Sequence, residues 1–290
     1  MIDKRELMQR CLFGGIGVVI FVVALLLVPY SWFYLILGLG LACIAHIGTL
    51  EYYNLAKAKG LAPLRIMGLI ATWFYLIVHA FILFWARGEP SLSLLSSLSM
   101  VALIAFALFV CLFNRIEGAL ANLATSLFPI LYVAAPLGLI LDLLYGLPAA
   151  FAIDGRFWLI FVVAVTVLTD MGGYFVGKKL GRHRLSPALS PNKTLEGGIG
   201  GLIFGSAAGM LLYLFSDKTL PFWSLTLIGF VLSVVGQLGD LAESLLKRDA
   251  KVKDSNKIPG LGGVLDLFDS LLFNLPLIYL ILFWTLEFNR

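Results

Sequence analysis

Long apolar runs alternate with short polar segments along the whole chain. A helix needs about 20 apolar residues to cross the hydrocarbon core of a bilayer, and counting runs on that basis predicts about nine transmembrane helices. We expect them at approximately 11–28, 32–50, 66–86, 93–113, 120–145, 157–177, 197–215, 222–246 and 264–286. The fifth run contains Pro129 and Pro136, so that helix is expected to be kinked or split. The pattern predicts an all-α fold, that of a polytopic integral membrane protein.

The composition supports this fold class. Of the 290 residues, 60% are apolar and only 13% are charged, whereas soluble domains carry about 25% charged residues. A chain with so few charges suits a bilayer better than water. The three cysteines lie in or beside apolar runs and show no spacing typical of a metal site.

Positive charge is unequally divided between the two sides of the predicted membrane. With nine spans, the N-terminus and every second loop share one side, which holds 17 of the 21 Lys and Arg residues. The other side holds only Arg87, Arg156, Lys218 and Arg290. Because loops rich in Lys and Arg stay in the cytoplasm, the sequence predicts a cytoplasmic N-terminus and a functional side that faces the cytoplasm.

Ionisable residues inside or beside apolar runs concentrate in the C-terminal half. We interpret residues 1–150 as a transmembrane scaffold for lipid access and oligomer contacts, with Glu51 and Asp142 at the membrane interface. Residues 151–290 are interpreted as the catalytic region, because ionisable side chains in a membrane are costly and usually functional. Its centre is a charge-dense hairpin at 239–270, which lies between two apolar runs without charged residues.

The spacing of polar residues in this hairpin predicts a reaction site. Asp240, Ser244 and Lys247 are four and three residues apart, so on a helix they share one face, with Glu243 at its border. Asp266 and Asp269 are three apart at the start of the last helix, so their carboxylates are expected to converge on one ion.

The same residues favour a particular chemistry. Carboxylates with few His or Cys neighbours select a hard cation, and Mg²⁺ fits better than Zn²⁺. Asp170 lies in an earlier apolar run, so we expect four buried or half-buried carboxylates: Asp170, Asp240, Asp266 and Asp269. The cations beside them are Lys247, Arg248, Lys251, Lys253 and Lys257. A metal held by carboxylates next to Lys and Arg is typical of phosphoryl or nucleotidyl transfer.

Glycines have two predicted roles. Gly260, Gly262 and Gly263 precede the last helix, where free N–H groups of a helix N-terminus are expected to approach a phosphate. The glycines around Asp170 and in the seventh helix are expected to let helices pack closely; they are Gly172, Gly173, Gly177, Gly200, Gly201, Gly205 and Gly209.

Other polar residues have simpler explanations. We expect His46 and His79 to find hydrogen-bond partners within the helix bundle and His183 to lie in an interfacial loop. For Lys251 and Lys257, a role in topology competes with a role in the site.

The hairpin resembles the signature of a known family. The stretch SLLKRDAKVKDSNKIPGLGGVLDLFDS is similar to the pattern S-x-x-K-R-x4-K-D, P-G-H-G-G and D-R-x-D of the integral-membrane phosphatidate cytidylyltransferases, or CDP-diacylglycerol synthases. The earlier stretches DMGGYFVG, from Asp170, and SPNKTLEGGIGG resemble that family's D-x-G-A-Y-F-x-G and S-P-K-K-T-x-E-G. EYYNLA after the second helix is a weaker similarity. The matching region covers roughly 165–275.

Three positions depart from the family's pattern. Leu261 stands where the family commonly has His, Leu267 where it has Arg, and Asn192 where it has Lys. No imidazole is therefore available in the hairpin, and two cations are missing. A substrate phosphate needs no general base to attack, so the reaction does not depend on the histidine; altered substrate choice or lower activity is the alternative.

The resemblance implies a reaction and a set of roles. CTP and phosphatidate would give CDP-diacylglycerol and pyrophosphate with Mg²⁺, and a second, monovalent cation such as K⁺ is left open. The family motifs assign catalytic roles to Ser244, Lys247, Arg248, Lys253 and Asp254. They assign substrate binding to Lys193, Thr194, Glu196, Gly260, Gly262 and Gly263, and metal binding to Asp170, Asp240, Asp266 and Asp269. The family also implies a homodimer in the inner or cytoplasmic membrane and no nucleic-acid partner.

Two other classes stay open at this point. A CTP-dependent polyprenol kinase would phosphorylate a lipid alcohol, and a CDP-alcohol phosphotransferase would need a motif that this sequence does not contain. A cation-coupled transporter would show charges along the membrane depth and repeated halves, whereas here the acids gather toward the cytoplasmic ends of the C-terminal helices. The sequence contains no P-loop motif for ATP.

Overall fold

The computed structural model describes residues 4–30, 32–86, 118–146, 154–216, 218, 220–256 and 262–288. The helices are numbered here in chain order. They are α1 (Lys4–Leu27), α2 (Phe33–Ala58), α3 (Arg65–Ala86), α4 (Ala119–Gly146), α5 (Gly155–Leu180), α6 (Leu195–Leu212), α7 (Phe222–Asp249) and α8 (Val264–Phe288). The span predicted at 93–113 lies outside the described residues.

The described helices confirm an all-α polytopic membrane protein. Within the described ranges, seven helices, α2 to α8, are long and apolar enough to cross a bilayer, and Gly14–Leu27 of α1 is a shorter apolar stretch. Many large apolar side chains on these helices are exposed, including Ile66 at 78% and Leu120 at 84%. Lipid tails can cover these side chains, whereas exposing so many large apolar side chains to water would be unfavourable.

Helix α4 changes its helical type along its length, where the sequence predicts a kink or a split. An α-helix from Ala119–Pro129 passes into a π-helix at Ile130–Ala134, returns to an α-helix at Ala135–Leu141 and ends in a π-helix at Asp142–Gly146. The first widened turn lies between the two prolines, whose missing N–H groups interrupt the α-helical hydrogen bonds.

The described residues pack as two units. The first unit takes its residues from Met1–Gly146 and Asp249–Leu267, and the second from Leu147–Arg248 and Phe268–Arg290. The functional division at residue 150 stays a prediction.

Buried polar pairs join the helices of the first unit. The hydroxyl of Tyr53, which is fully buried, donates to the carbonyl of Ser126 at 2.7 Å. His79 Nε2 and Asp142 Oδ2 are 2.8 Å apart, and both residues are buried. The expectation that Asp142 lies at the membrane interface stays a prediction; the structure adds that it has a partner on another helix. The expectation that both histidines find hydrogen-bond partners within the helix bundle is confirmed, since His46 also accepts a hydrogen bond from Trp73.

Small residues bring the helices of the second unit into close contact. A Cβ atom added to Gly200 would lie 2.5 Å from Val176 of α5, and one added to Gly209 would lie 2.3 Å from the carbonyl oxygen of Leu225 of α7. These distances confirm the predicted packing role of the glycines of α6. Pairs of polar side chains add to the packing: Thr169 with Ser233 at 2.8 Å, and Asn274 with Thr166 at 2.9 Å.

A short β-hairpin connects α5 to α6 where the sequence predicts only a loop. Strand β1 (Arg184–Ser186) pairs antiparallel with β2 (Ser190–Thr194), and Arg184 lies opposite Thr194. This hairpin carries the SPNKT motif residues to the N-terminus of α6.

Candidate active site

The second unit contains a cavity of about 570 Å³ whose wall carries both acids and cations. Helix α5 contributes Asp170 and Lys178, strand β2 contributes Lys193, and α7 contributes Asp240. The other lining residues are Thr169, Gly173, Tyr174, Gly177, Leu185, Asn192, Thr194, Gly197, Gly198 and Gln237. A pocket of this size and mixed charge suits a small anionic substrate.

Three predicted metal carboxylates interact in this unit. The Lys193 ammonium donates a hydrogen bond to Asp240 Oδ2. Asp170 and Asp269 each lie within the electrostatic reach of Asp240 and of Lys193, and Asp269 also interacts with Asp170. Three carboxylates this close repel each other and the Lys193 charge offsets only one of them, so this arrangement attracts a cation.

The burial of these carboxylates differs from one to the next. Asp240 and Asp269 are half-buried, as expected. Asp170 stands on the wall of the cavity, so its surface is open to the cavity while neighbouring residues surround the carboxylate.

The donor atoms suit Mg²⁺, although the protein alone does not complete a metal site. Among the residues that the structure describes, no three His, Cys, Asp or Glu side chains form a group ready to hold a metal ion. Mg²⁺ is commonly bound by one or two carboxylates together with substrate phosphates and water. Asp170, Asp240 and Asp269 fit a site of that kind, in which the substrate supplies the remaining ligands.

Two predicted substrate-binding residues organise the start of α6. The Thr194 side chain accepts a hydrogen bond from the Gly197 N–H at 3.1 Å and so caps the helix. Glu196 accepts from the backbone N–H of Arg182 at 3.0 Å and pairs with the ring of His183 at 2.6 Å. These contacts fix the β-hairpin, and Thr194 also lines the cavity.

The predicted catalytic residues of α7 have partners within the second unit. Lys247 forms an ion pair with Glu243, whose side chain is fully buried. Arg248 Nε donates to the carbonyl oxygen of Leu189 at 3.0 Å, in the turn of the β-hairpin. Ser244 is buried. Lys247 therefore neutralises Glu243, which the sequence analysis expects at the border of the site.

The polar segment after α7 is described only in part. Lys253 and Asp254 are exposed, as suits side chains that meet a ligand from solution. Gly260 and Lys257 lie outside the described residues.

Asp266 is hydrogen-bonded within the first unit. Its Oδ2 accepts from the Gly263 N–H at 2.7 Å and from the Ser255 N–H at 3.0 Å, and it lies 2.9 Å from the Ser255 hydroxyl. The Gly263 N–H, which was expected to be free for a phosphate, therefore already donates to Asp266. Substrate binding by Gly262 and Gly263 stays a prediction.

Glu51 makes contacts that the sequence analysis does not predict. Its expected place at the membrane interface stays a prediction, and within the protein it is 1% exposed. Its carboxylate accepts hydrogen bonds from the backbone N–H groups of Val264 and Leu265 at 3.0 and 2.9 Å. The sequence carries only a weak indication of this role, namely one acid in the EYYNLA stretch, which lies far along the chain from the hairpin.

Gln237 and Thr169 also line the cavity without having been predicted. The Gln237 amide donates to the Gly198 carbonyl oxygen at 3.2 Å. A lone glutamine in the apolar sequence VVGQLGD was the available signal, because an unpaired amide is costly inside a membrane.

The fold and this cavity define a class of protein: a polytopic membrane enzyme whose site joins carboxylates with cations, as transfer of a phosphorus-containing group requires. A family model described as "Cytidylyltransferase family" matches residues 8–285. The match covers nearly the whole chain, so the protein belongs to the cytidylyltransferase family.

Similar proteins extend this result. The chain is 32% identical to the phosphatidate cytidylyltransferase of Bacillus subtilis over 287 residues, which is 97% of this chain and 98% of that protein. It is 33% identical to the phosphatidate cytidylyltransferase of Chlamydia pneumoniae over 86% of this chain and 83% of that one. The enzyme of the same name from Staphylococcus haemolyticus is 48% identical over 130 residues, 44% of this chain and 50% of that one.

Proposed function

We infer that this protein is a phosphatidate cytidylyltransferase, which converts CTP and phosphatidate to CDP-diacylglycerol and pyrophosphate for phospholipid synthesis. The observation that carries this inference is the cavity in which Asp170, Lys193 and Asp240 meet. It lies in a chain similar to phosphatidate cytidylyltransferases along nearly its full length. The acids and cations of this cavity match the needs of a reaction between two anions.

The reaction requires neutralisation of charge more than proton transfer. A phosphate oxygen of phosphatidate attacks the α-phosphorus of CTP, and the bond from that phosphorus to the oxygen leading to the β-phosphate breaks. Pyrophosphate leaves with that bonding pair. The attacking phosphate is already an anion, so no general base is needed, and preorganised charges carry most of the catalysis.

The residues of the cavity divide this work. Lys193 on β2 and Lys178 on α5 present ammonium groups to the cavity and would hold the phosphates of the substrates. Asp240 fixes the Lys193 ammonium by its hydrogen bond. Arg248, through its contact with Leu189, holds the turn of the β-hairpin that carries Lys193.

Mg²⁺ is the proposed cofactor, with Asp170, Asp240 and Asp269 as the residues that would hold it and Asp266 as a further predicted ligand. When bound, the ion would neutralise phosphate charge and stabilise the leaving pyrophosphate. A monovalent cation such as K⁺ is left open.

We further propose that the site faces the cytoplasm in the inner or cytoplasmic membrane of a bacterial cell. The excess of Lys and Arg on that predicted side supports this orientation. CTP is soluble and phosphatidate lies in the leaflet, so the reaction suits a cavity at the end of the membrane-spanning helices. We also expect a homodimer, which the family resemblance implies; the mass of the protein in detergent tests it.

The proposed function is tested with purified protein in detergent, given phosphatidate, CTP and Mg²⁺. CDP-diacylglycerol and pyrophosphate are the expected products, and Asp269→Asn is expected to lose them. Asp249→Asn, which removes an exposed acid paired with Lys59, is the matched control and keeps the activity.

The opposite result is equally clear. If phosphatidate gives no product while a lipid alcohol with CTP gives a phosphorylated lipid, the protein is a lipid kinase and the proposal is wrong. Leu261 and Leu267, which replace the family's usual His and Arg, would then be the first residues to examine.

A further inference from the structure

Helix α8 begins without a capping side chain at the residue that precedes it. The first N–H groups of an α-helix have no acceptor within the helix, and a Ser, Thr, Asp or Asn side chain at the preceding position usually provides one. Here the preceding residue is Gly263, which has no side chain. The acceptor must come from elsewhere.

Glu51 of α2 supplies it. One carboxylate oxygen accepts from the Leu265 N–H at 2.9 Å and from the Ser255 hydroxyl at 2.9 Å. The other accepts from the Val264 N–H and from the Asn256 amide, each at 3.0 Å. Four donor groups surround the two oxygens, and the single proton of the Ser255 hydroxyl is shared with Asp266. The negative charge of Glu51 also meets the positive end of the helix dipole.

The glycines next to the helix make room for this carboxylate. A Cβ atom on residue 263 would lie 1.9 Å from Ser255 Oγ and 2.6 Å from Glu51 Oε2, so a local capping side chain is excluded there. Gly262 has a φ of 78°, a conformation that glycine adopts without strain. Gly263 therefore leaves room for Glu51, and Gly262 lies next to Asp266.

The same contacts reach Asp266. The Ser255 hydroxyl lies 2.9 Å from Glu51 and 2.9 Å from Asp266, and Asp266 also accepts from the N–H of Gly263. Glu51 thus belongs to one hydrogen-bonded set with a carboxylate of the family motif. All these residues lie in the first unit.

A distant cap does what a local cap cannot do. A capping side chain on α8 itself would move with its own helix. Glu51 lies more than 200 residues away in sequence, on another helix, so it fixes where α8 begins relative to α2. Side chains that orient ligand carboxylates in this way usually matter to the function of a site.

We propose that Glu51 is a positioning residue of the cytidylyltransferase: it caps α8 from α2 and holds Asp266 and Ser255 in place for the reaction. The inference rests on the proposed function for its catalytic consequence. The cap itself is tested without any reaction.

The main variant is Glu51→Gln. An amide has the same shape but offers only one acceptor oxygen, so its NH₂ group would face two donors. In the purified protein without substrate, hydrogen–deuterium exchange of at least one of the Val264 and Leu265 amides is expected to accelerate by about tenfold or more, because each donates to a different carboxylate oxygen and one of the two oxygens is replaced. With substrates, kcat is expected to fall by about 10- to 100-fold, the usual cost of losing a partner that orients a ligand.

Two further variants keep the inference falsifiable. Ser255→Ala leaves the buried carboxylate in place but removes the hydroxyl between Glu51 and Asp266; it should lower kcat less than Glu51→Gln and leave the KM for CTP unchanged. Asp142→Asn, which alters another buried acid of the first unit, should lower stability without faster exchange at Val264 and Leu265.

The outcomes separate the two hypotheses. Unchanged exchange at Val264 and Leu265 in a folded Glu51→Gln protein overturns the cap. Faster exchange with full kcat overturns the positioning role but leaves the proposed function intact. An inactive wild-type protein whose Glu51→Gln variant still shows faster exchange argues against the proposed function and not against the cap.

Discussion

The acidic side chains of this protein differ in what neutralises them. Asp240 is paired with Lys193, Asp142 with His79, and Glu51 with a helix N-terminus. Only the first of these pairs borders the cavity. A carboxylate beside other carboxylates at a cavity can bind a cation, or it can orient a lysine that binds a phosphate. A carboxylate whose oxygens are all hydrogen-bonded within the protein instead stabilises the fold or positions its neighbours.

Among single substitutions, we expect Asp240→Asn to lower kcat/KM by about 100-fold or more, because a preorganised charge contact is lost and Lys193 loses its partner. Steady-state kinetics with CTP and phosphatidate measure the effect. Asp249→Asn, in an exposed pair with Lys59, should match the wild type, because exposed pairs contribute little. Equal activity of the two variants would remove Asp240 from the site.

A second prediction concerns Asn192, which lines the cavity where the family commonly has Lys. Asn192→Lys adds a cation to the wall, so the KM for CTP is expected to fall about two- to fivefold, as for a partly screened charge contact. Asn192→Gln adds length without charge and should leave KM unchanged. The gain should shrink with added salt; a gain independent of salt would exclude the electrostatic reason.

Among the helices, α6 depends on the absence of side chains. Its glycines face α5 and α7 at distances that a Cβ atom would violate, so backbone contact replaces side-chain packing. Helices in lipid gain little from hydrophobic association and rely on such close approach. The position of the β-hairpin, and with it of Lys193, follows from that packing because Thr194 caps α6.

For this element we expect Gly209→Ala to destabilise the protein by about 1–3 kcal/mol, the usual cost of overpacking. The added methyl group would lie 2.3 Å from the backbone oxygen of Leu225, which cannot move as a side chain can. Thermal unfolding in detergent measures the loss. Gly40→Ala on α2, with nothing within 4 Å of the added atom, is the control and should be neutral or slightly stabilising.

The pair that joins α3 to α4 gives another test. His79→Leu leaves the Asp142 carboxylate buried without its partner, and we expect it to cost about 3–5 kcal/mol. The double variant His79→Leu/Asp142→Leu removes both polar groups and should recover most of that stability. A double variant as unstable as the single one would mean that the two side chains act independently.

For the whole molecule, charge distribution and apolar surface define the relation to the membrane. Seven long apolar helices among the described residues and the exposed apolar side chains on them require lipid. The orientation across the bilayer rests on the unequal distribution of Lys and Arg.

Orientation can be measured with single cysteines in a cysteine-free background. We expect Lys218→Cys to react with an impermeant thiol reagent in intact cells, because the sequence places it outside. Lys251→Cys should react only after the membrane is opened. Both side chains are exposed, so burial cannot explain a difference. The reverse pattern would place the N-terminus and the basic hairpin outside the cell.

Apolar runs, basic loops and motif spacing by themselves determined the all-α membrane fold, the helix positions and the family resemblance, because a bilayer requires long apolar helices and local patterns record them directly. Charges in or beside apolar runs indicated Asp170 and Asp240 as candidate site residues, and the family motif indicated Lys193; the structure brings the three to one cavity. Only the tertiary structure decided that Glu51 caps α8 and that Asp142 pairs with His79. Such contacts join residues far apart in sequence, and a single acid carries no local sign of which distant donor it will meet.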